Sequence, residues 1–199
     1  MKIVHIADIH WRGLSRHEEY KSSFRYFFKD IKEKNPDIIY IGGDIVHSKT
    51  HGISPELIES LSWWFNSLAE IAPTHIILGN HDGLILNKDR QDTITPIIEA
   101  IKNPNIYLYK NSGVYEIKNE TFFSPRFNLC VLSCFDEDEW KNVLPDPDAI
   151  NICCFHGAVE RSRTDSNWML DAEISLEELQ KFDFSLLGDI HKYQYLDKE

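Results

Sequence analysis

Short apolar runs alternate with amphipathic stretches through the first half of the chain. Ile3-Val4-His5-Ile6 reads as a strand, and from Glu18 to Lys34 the aromatic and apolar residues Phe24, Phe27, Phe28 and Ile31 recur at helical spacing. Asn35-Pro36 ends that helix, because the residue before a proline is pushed out of the helical region. Ile38–Ile41 is the next strand, closed by Gly42-Gly43. Ser54-Pro55-Glu56 opens a second helix, with Ser54 as N-cap, Pro55 at the first helical position, and Leu57, Leu61, Trp64, Phe65 and Leu68 on one face. Thr74–Leu78 is a third strand and Thr93–Ile101 a third helix.

After that the texture changes. Ile106–Tyr109, Val114–Ile117, Asn128–Ser133, Ile150–Phe155 and Phe184–Leu187 read as strands, with one amphipathic stretch, Leu176 to Phe182. The βαβα opening predicts parallel strands. The whole predicts an α/β fold, two sheets flanked by helices, over a single domain 1–199.

Composition adds bounds. At 42% hydrophobic the 199-residue chain can bury a core, and it carries a formal net charge of −11. That acidity argues against adhesion to nucleic acid through a basic surface, but not against an enzyme whose positive charge comes from bound metal ions. The four cysteines, Cys130, Cys134, Cys153 and Cys154, form no CxxC pattern and read as free thiols of a reducing compartment. MKIVHIADIH lacks the apolar core of a signal peptide, and no run approaches a membrane span of roughly 20 residues. The expectation is a cytoplasmic protein with no membrane contact.

The placement of polar residues carries the functional signal. Asp8 and His10 follow strand one. Asp44 and His47 follow strand two, in Gly42-Gly-Asp-Ile-Val-His47, and Asn80, His81 and Asp82 follow strand three. His156 ends the run at Phe155, and Asp189 and His191 follow the last strand, in Gly188-Asp-Ile-His191. In open α/β sheets ligands bind beyond the carboxyl ends of the strands. One such cluster is ordinarily a turn; five at successive strand ends read as metal ligation.

In order and context these residues resemble the calcineurin-like metallophosphoesterases, whose pattern runs D-x-H, G-D, G-N-H-D/E, H and G-H-x-H. The resemblance covers essentially the whole chain. Within the superfamily it is closest to the SbcD and Mre-eleven DNA exonuclease subunits: Gly43-Asp-Ile-Val-His47 resembles their G-D-x-x-H, the third cluster ends in Asp82 rather than Glu, and the V-D-R-G run of protein phosphatases is missing. The resemblance implies two divalent metal ions, Mn²⁺ first with Mg²⁺ or Fe²⁺ as rivals. Asp8, His10 and His191 would hold one, Asn80, His156 and Asp189 the other, and Asp44 would bridge. It implies that His81 serves the leaving oxygen and that His47 positions the phosphate. Asp82 would orient His81 or cap the turn, and Arg12 would contact substrate phosphate or simply be solvated. Arg161 and Arg163 read as surface charge.

The implied activity is two-metal phosphodiester hydrolysis by a DNA exo- or endonuclease subunit of repair or recombination, with DNA as substrate and an SbcC-type SMC-like ATPase as partner; a homodimer is compatible. The alternatives are a phosphodiesterase or phosphatase acting on small nucleotides or phosphoproteins, and a non-catalytic scaffold for the ATPase. Two departures stand out. Asp189 replaces the first His of G-H-x-H, making that ligand set richer in oxygen. The chain ends eight residues after His191, where the family continues with further strands and a DNA-capping domain, so the domain is expected to be incomplete at its C-terminus.

Overall fold

The computed structural model describes residues 1–48, 53–87, 90–117 and 125–196. The chain divides into two compact units, residues 1–109 and 110–199.

The first unit holds a four-stranded parallel sheet in the order β1 (Ile3–Ile6), β2 (Ile38–Gly42), β3 (Thr74–Ile77), β4 (Ile106–Tyr109). Every residue of β2 and β3 is buried, the near-continuous apolar run expected of parallel strands covered on both faces. The intervening helices are α1 (His17–Lys34), α2 (Pro55–Ala69) and α3 (Ile94–Ile101). Ser54 caps α2, its Oγ accepting from Leu57 N at 3.1 Å. The α2 face of Leu57, Leu61, Trp64, Phe65 and Leu68 is buried. Fully burying such a side chain stabilises by roughly 1.5–3 kcal/mol. Aromatic rings join α1 to α2: Phe24 lies 5.1 Å from Trp64 and Phe28 5.4 Å from Trp63. The sequence places the start of α3 at Thr93, but Asp92 is its effective cap. The Asp92 carboxylate accepts from Ile94 N at 2.9 Å and Thr95 N at 2.7 Å.

The second unit holds a mixed sheet in the order β5 (Gly113–Ile117), β6 (Arg126–Leu132), β7 (Ala149–His156), β8 (Phe184–Gly188). β5 and β6 are antiparallel, and the other two pairs are parallel. Its core gathers Cys130, Leu132, Val143, Cys153, Phe155, Val159, Ile174 and Leu179. Two differences from the sequence reading appear here. A 3-10 helix, Glu137–Asn142, lies between β6 and β7, and places Trp140 edge-on to Phe155 at 5.2 Å with its Nε1 donating to Ser133 O at 2.8 Å. The amphipathic stretch expected to reach Phe182 is helical only over α4 (Leu176–Leu179), opened by a Ser175/Glu178 capping box. The described cysteines are free. Burial pushes the thiols of Cys130 and Cys153 up to about 11 and about 12, which makes them packing groups rather than nucleophiles. No helix among the described residues is long and apolar enough to cross a membrane.

Candidate metal centre

In the first unit the loops after β1 and β2 run side by side. Backbone bonds zip them together: Asp8 N to Gly43 O at 3.1 Å, His10 N to Asp44 O at 2.9 Å, Trp11 N to Ile45 O at 2.8 Å and His47 N to Trp11 O at 3.0 Å. Trp11 anchors the arrangement. It is fully buried and stacks on Tyr20 and Phe24 of α1, while Tyr20 Oη donates to the His10 carbonyl at 2.8 Å. The aromatic face of α1 thus sets the height of the His10 loop.

Asp8, His10 and Asp44 all have left-handed backbone, at φ 57°, 48° and 51°. A side chain in that region costs energy, and such outliers persist where the surrounding structure imposes them. Here the zipped loops do so, turning successive side chains toward one edge of the sheet.

The third loop is tied in by two carboxylates. Asp82 is fully buried and accepts from Ile45 N at 2.9 Å, Val46 N at 3.0 Å and Gly79 N at 2.9 Å. Asp44 Oδ1 accepts from His81 N at 2.9 Å. The ring of His81 is held at Nδ1 by the His47 carbonyl. These named bonds of Asp82 are those of a loop clamp, and the contact that orients the His81 imidazole comes from the His47 main chain. The His47 imidazole is exposed and lies 5.8 Å from the His10 ring and 6.2 Å from that of His81. Arg12 is exposed as well.

The result is a convergent donor set. Ligand atoms of His10, Asp44 and His81 all lie within 4.8 Å of one another. His10 Nε2 is 3.6 Å and His81 Nε2 3.9 Å from Asp44 Oδ2. Those separations exceed a good hydrogen bond. The separation of His10 from Asp44 suits two donors that share a cation, since two ligands each about 2.1 Å from an ion lie about 3–4 Å apart, and it sets His81 Nε2 beside that position. Asn80 Oδ1 adds an independent sign: it is buried and has no hydrogen-bond partner among the described residues. A buried amide oxygen left so is costly unless something else meets it, and an oxygen-seeking cation does. The residues therefore fit a divalent metal.

The second unit presents a smaller set at the ends of adjacent strands. His156 closes β7 opposite Gly188 of β8. It is 1% exposed, and its Nε2 lies 3.9 Å from Asp189 Oδ1. Asp189 also has left-handed backbone, at φ 80°. His191 follows, exposed. Glu173, which the sequence does not single out, belongs to this neighbourhood. A Cβ on Gly157 would stand 2.7 Å from Glu173 Oε2 and 2.6 Å from the Phe155 ring, so only glycine leaves room after His156. Partial burial, reinforced by the charges of Asp189 and Glu137, raises the Glu173 carboxyl above its ordinary value. No residue spacing in the sequence marks Glu173, because the pairing of Val159 with Ile174 that brings it in is an isolated bridge.

Comparison with known proteins follows the same lines. The model of the family described as calcineurin-like phosphoesterase matches residues 1–193. An uncharacterized protein, R555 of Acanthamoeba polyphaga mimivirus, is 38% identical over 210 residues, covering 98% of this chain. This chain spans only 15% of that relative's length. A solved structure, the nuclease MPE of Pseudomonas putida, is similar at a TM-score of 0.40 and 15% identity, over 79% of this chain and 61% of that one.

Proposed function

Because this chain belongs to the calcineurin-like phosphoesterases, a family of metal-dependent phosphoester hydrolases, we propose that it cleaves phosphodiesters and that its substrate is DNA. The convergence of His10 and Asp44 donor atoms with His81 Nε2 beside them, all within 4.8 Å of one another, is the observation that carries the hydrolytic reading. The nuclease assignment rests on the sequence: the Gly43-Asp-Ile-Val-His47 run, Asp82 closing the third cluster, and the missing V-D-R-G run.

The ligands that the family pattern implies are Asp8, His10, Asp44, Asn80, His156 and His191, with Asp189 in the place of a histidine. When bound, two divalent cations supply charge neutralisation at the phosphoryl oxygens and a nucleophilic water at neutral pH. The residues of the chain do the rest. The His47 carbonyl holds the His81 ring at Nδ1, which leaves Nε2 as the atom that carries a proton to the leaving oxygen. Asp82 keeps the Asp44 loop and the His81 turn in one register. His47 and Arg12, both exposed, are placed to meet substrate phosphate.

Asp189, where the family has histidine, makes one ligand set harder, so Mn²⁺ or Mg²⁺ is favoured there over softer ions. Metal titration of the wild type against Asp189→His tests this; identical metal preference would reject it.

The main test is hydrolysis with and without Mn²⁺ of linear DNA, bis-p-nitrophenyl phosphate and a phosphomonoester, with Asp8→Ala and His81→Ala as controls. Mn²⁺-dependent DNA cleavage lost in both variants is the expected result. Turnover of small esters alone would move the activity to small nucleotides, a reading that the net charge of −11 favours. An SMC-like ATPase partner is a further proposal from the same resemblance, tested by co-purification.

A further inference from the structure

Two segments of the second unit, one after His156 and one after His191, carry exposed aromatic rings. Trp168 is 77% exposed, Tyr193 83% and Tyr195 64%. Exposing three large rings in so short a space is costly in water, and such clusters mark binding surfaces. They are not on a loose tail. Gln194 pins the two segments together, its Oε1 accepting from Arg163 N and its Nε2 donating to Arg163 O, both at 3.0 Å. Lys192 Nζ donates to Asn167 Oδ1 at 2.8 Å, and Arg163 Nη1 to Asn167 O at 3.0 Å. Arg163 also bridges to Met169 as an antiparallel β pair. The Tyr193 and Tyr195 hydroxyls bond at 2.6 Å with their rings edge-on at 5.5 Å. The rings are therefore presented from a fixed platform.

Arg163 and Lys192 stand on the two segments that carry the rings, each held to Asn167, while Arg161 lies 3.5 Å from Glu160. Rings set among cations match a ligand that is polyanionic and has flat apolar faces. Unpaired nucleotides have both properties. Paired bases are stacked inside a duplex and offer no free faces to these rings.

We propose that Trp168, Tyr193 and Tyr195, with Arg163 and Lys192, form a stacking platform for single-stranded nucleic acid, which feeds an unpaired end toward the strand ends that carry Asp189 and His191. Its Tyr193 ring follows His191 by two residues. This inference rests on the phosphodiesterase reading above and names its substrate as an unpaired strand. It also replaces the reading of Arg163 as plain surface charge.

The test is fluorescence anisotropy of labelled oligonucleotides in EDTA, where nothing is cleaved. The probes are a single-stranded dT 20-mer, a 20-base-pair duplex and an abasic strand of equal length. Wild type is expected to bind the dT strand about tenfold or more tightly than the abasic strand, since each stacked base contributes at this scale, and more tightly than the duplex. Trp168→Ala with Tyr193→Ala should weaken dT binding about tenfold or more and erase the preference over the abasic strand. Trp168→Phe with Tyr193→Phe should retain most of it, and Tyr26→Ala, an equally exposed ring on α1 (77%), should change nothing.

Hydrolysis of bis-p-nitrophenyl phosphate separates this claim from the one it rests on. If the alanine variant keeps wild-type turnover of that ester and loses dT binding, the platform is established. If the ester is turned over while the variant binds dT as the wild type does, the platform is wrong and the hydrolase reading stands. Binding without any turnover would reject the hydrolase reading alone. No dT binding by the wild type, or equal affinity for abasic and dT strands, overturns the platform.

Discussion

At the scale of single residues, Asp82 and His81 show how two neighbours in one motif divide their work. Asp82 has three named backbone donors, two of them in the loop that carries Asp44. Removing its carboxylate leaves three buried N–H groups without that acceptor. Asp82→Ala is therefore expected to cost about 3 kcal/mol or more, a fall in Tm of roughly 6–12 °C. His81→Ala, at a side chain 42% exposed, should leave Tm near the wild-type value while abolishing turnover. Thermal melts of the two variants check the division; a Tm for Asp82→Ala equal to the wild type would mean that the carboxylate does not hold the loops. The sequence offers both roles for Asp82, because Gly-Asn-His-Asp suits a turn as well as a catalytic pair. The three backbone bonds add the loop-holding role, which the sequence alone does not show. The left-handed backbone at Asp8, His10, Asp44 and Asp189 was likewise invisible, since aspartate and histidine occupy that region without announcing it in the sequence.

At the scale of elements, the sheets were legible because buried parallel strands are nearly unbroken apolar runs, and β2 and β3 are such runs. What was not legible is polar or short-range. The 3-10 helix at Glu137–Asn142 consists mostly of charged residues and has no apolar period to read. Asp92 caps α3 from one position before the expected start. Asp92→Ala should lower stability by about 1 kcal/mol, measurable by urea unfolding, and Asp92→Ser should restore much of it.

His75 in β3 is a second such case. Its ring is 4% exposed and stacks between Tyr107 at 4.8 Å and Tyr109 at 5.9 Å of β4, with Nδ1 2.8 Å from Tyr109 Oη. Burial lowers its pKa from 6.5 to about 4. Between those values the unfolded chain binds a proton that the folded protein excludes. The contribution to stability is thus full above pH 6.5 and is lost as pH falls toward 4, at about 1.4 kcal/mol per unit. His75→Phe should flatten the acid side of a Tm-against-pH curve in that window; an unchanged slope would place the acid sensitivity elsewhere.

At the scale of the whole molecule, charge and metal are linked. Ligand-type residues at strand ends stand out in the sequence because each strand end is fixed by an apolar run, and within the first unit the structure brings the donor atoms of His10, Asp44 and His81 within 4.8 Å of one another. Glu173 was not readable, since it reaches the His156 neighbourhood through an isolated bridge. The chain's net charge of −11 includes carboxylates held close to other donors, and Asp44 is 1% exposed. A divalent ion bound only by the folded protein stabilises it by mass action, about 2.7 kcal/mol at a free concentration 100 times Kd, or a rise in Tm of roughly 5–10 °C. Mn²⁺ should therefore raise Tm in a saturable way, and EDTA should reverse it. Screening offers a rival cause, because added salt also relieves repulsion in an acidic protein. The two differ in dose and in residue dependence. Screening by NaCl needs tens of millimolar or more, roughly the range in which the Debye length falls to about 10 Å, and does not depend on any one side chain. Site binding saturates at lower concentration and is lost in Asp44→Ala. A Mn²⁺ shift that persists undiminished in Asp44→Ala, or that NaCl reproduces at equal ionic strength, would show that the acidic residues only repel one another and that the site around His10 and Asp44 holds no ion.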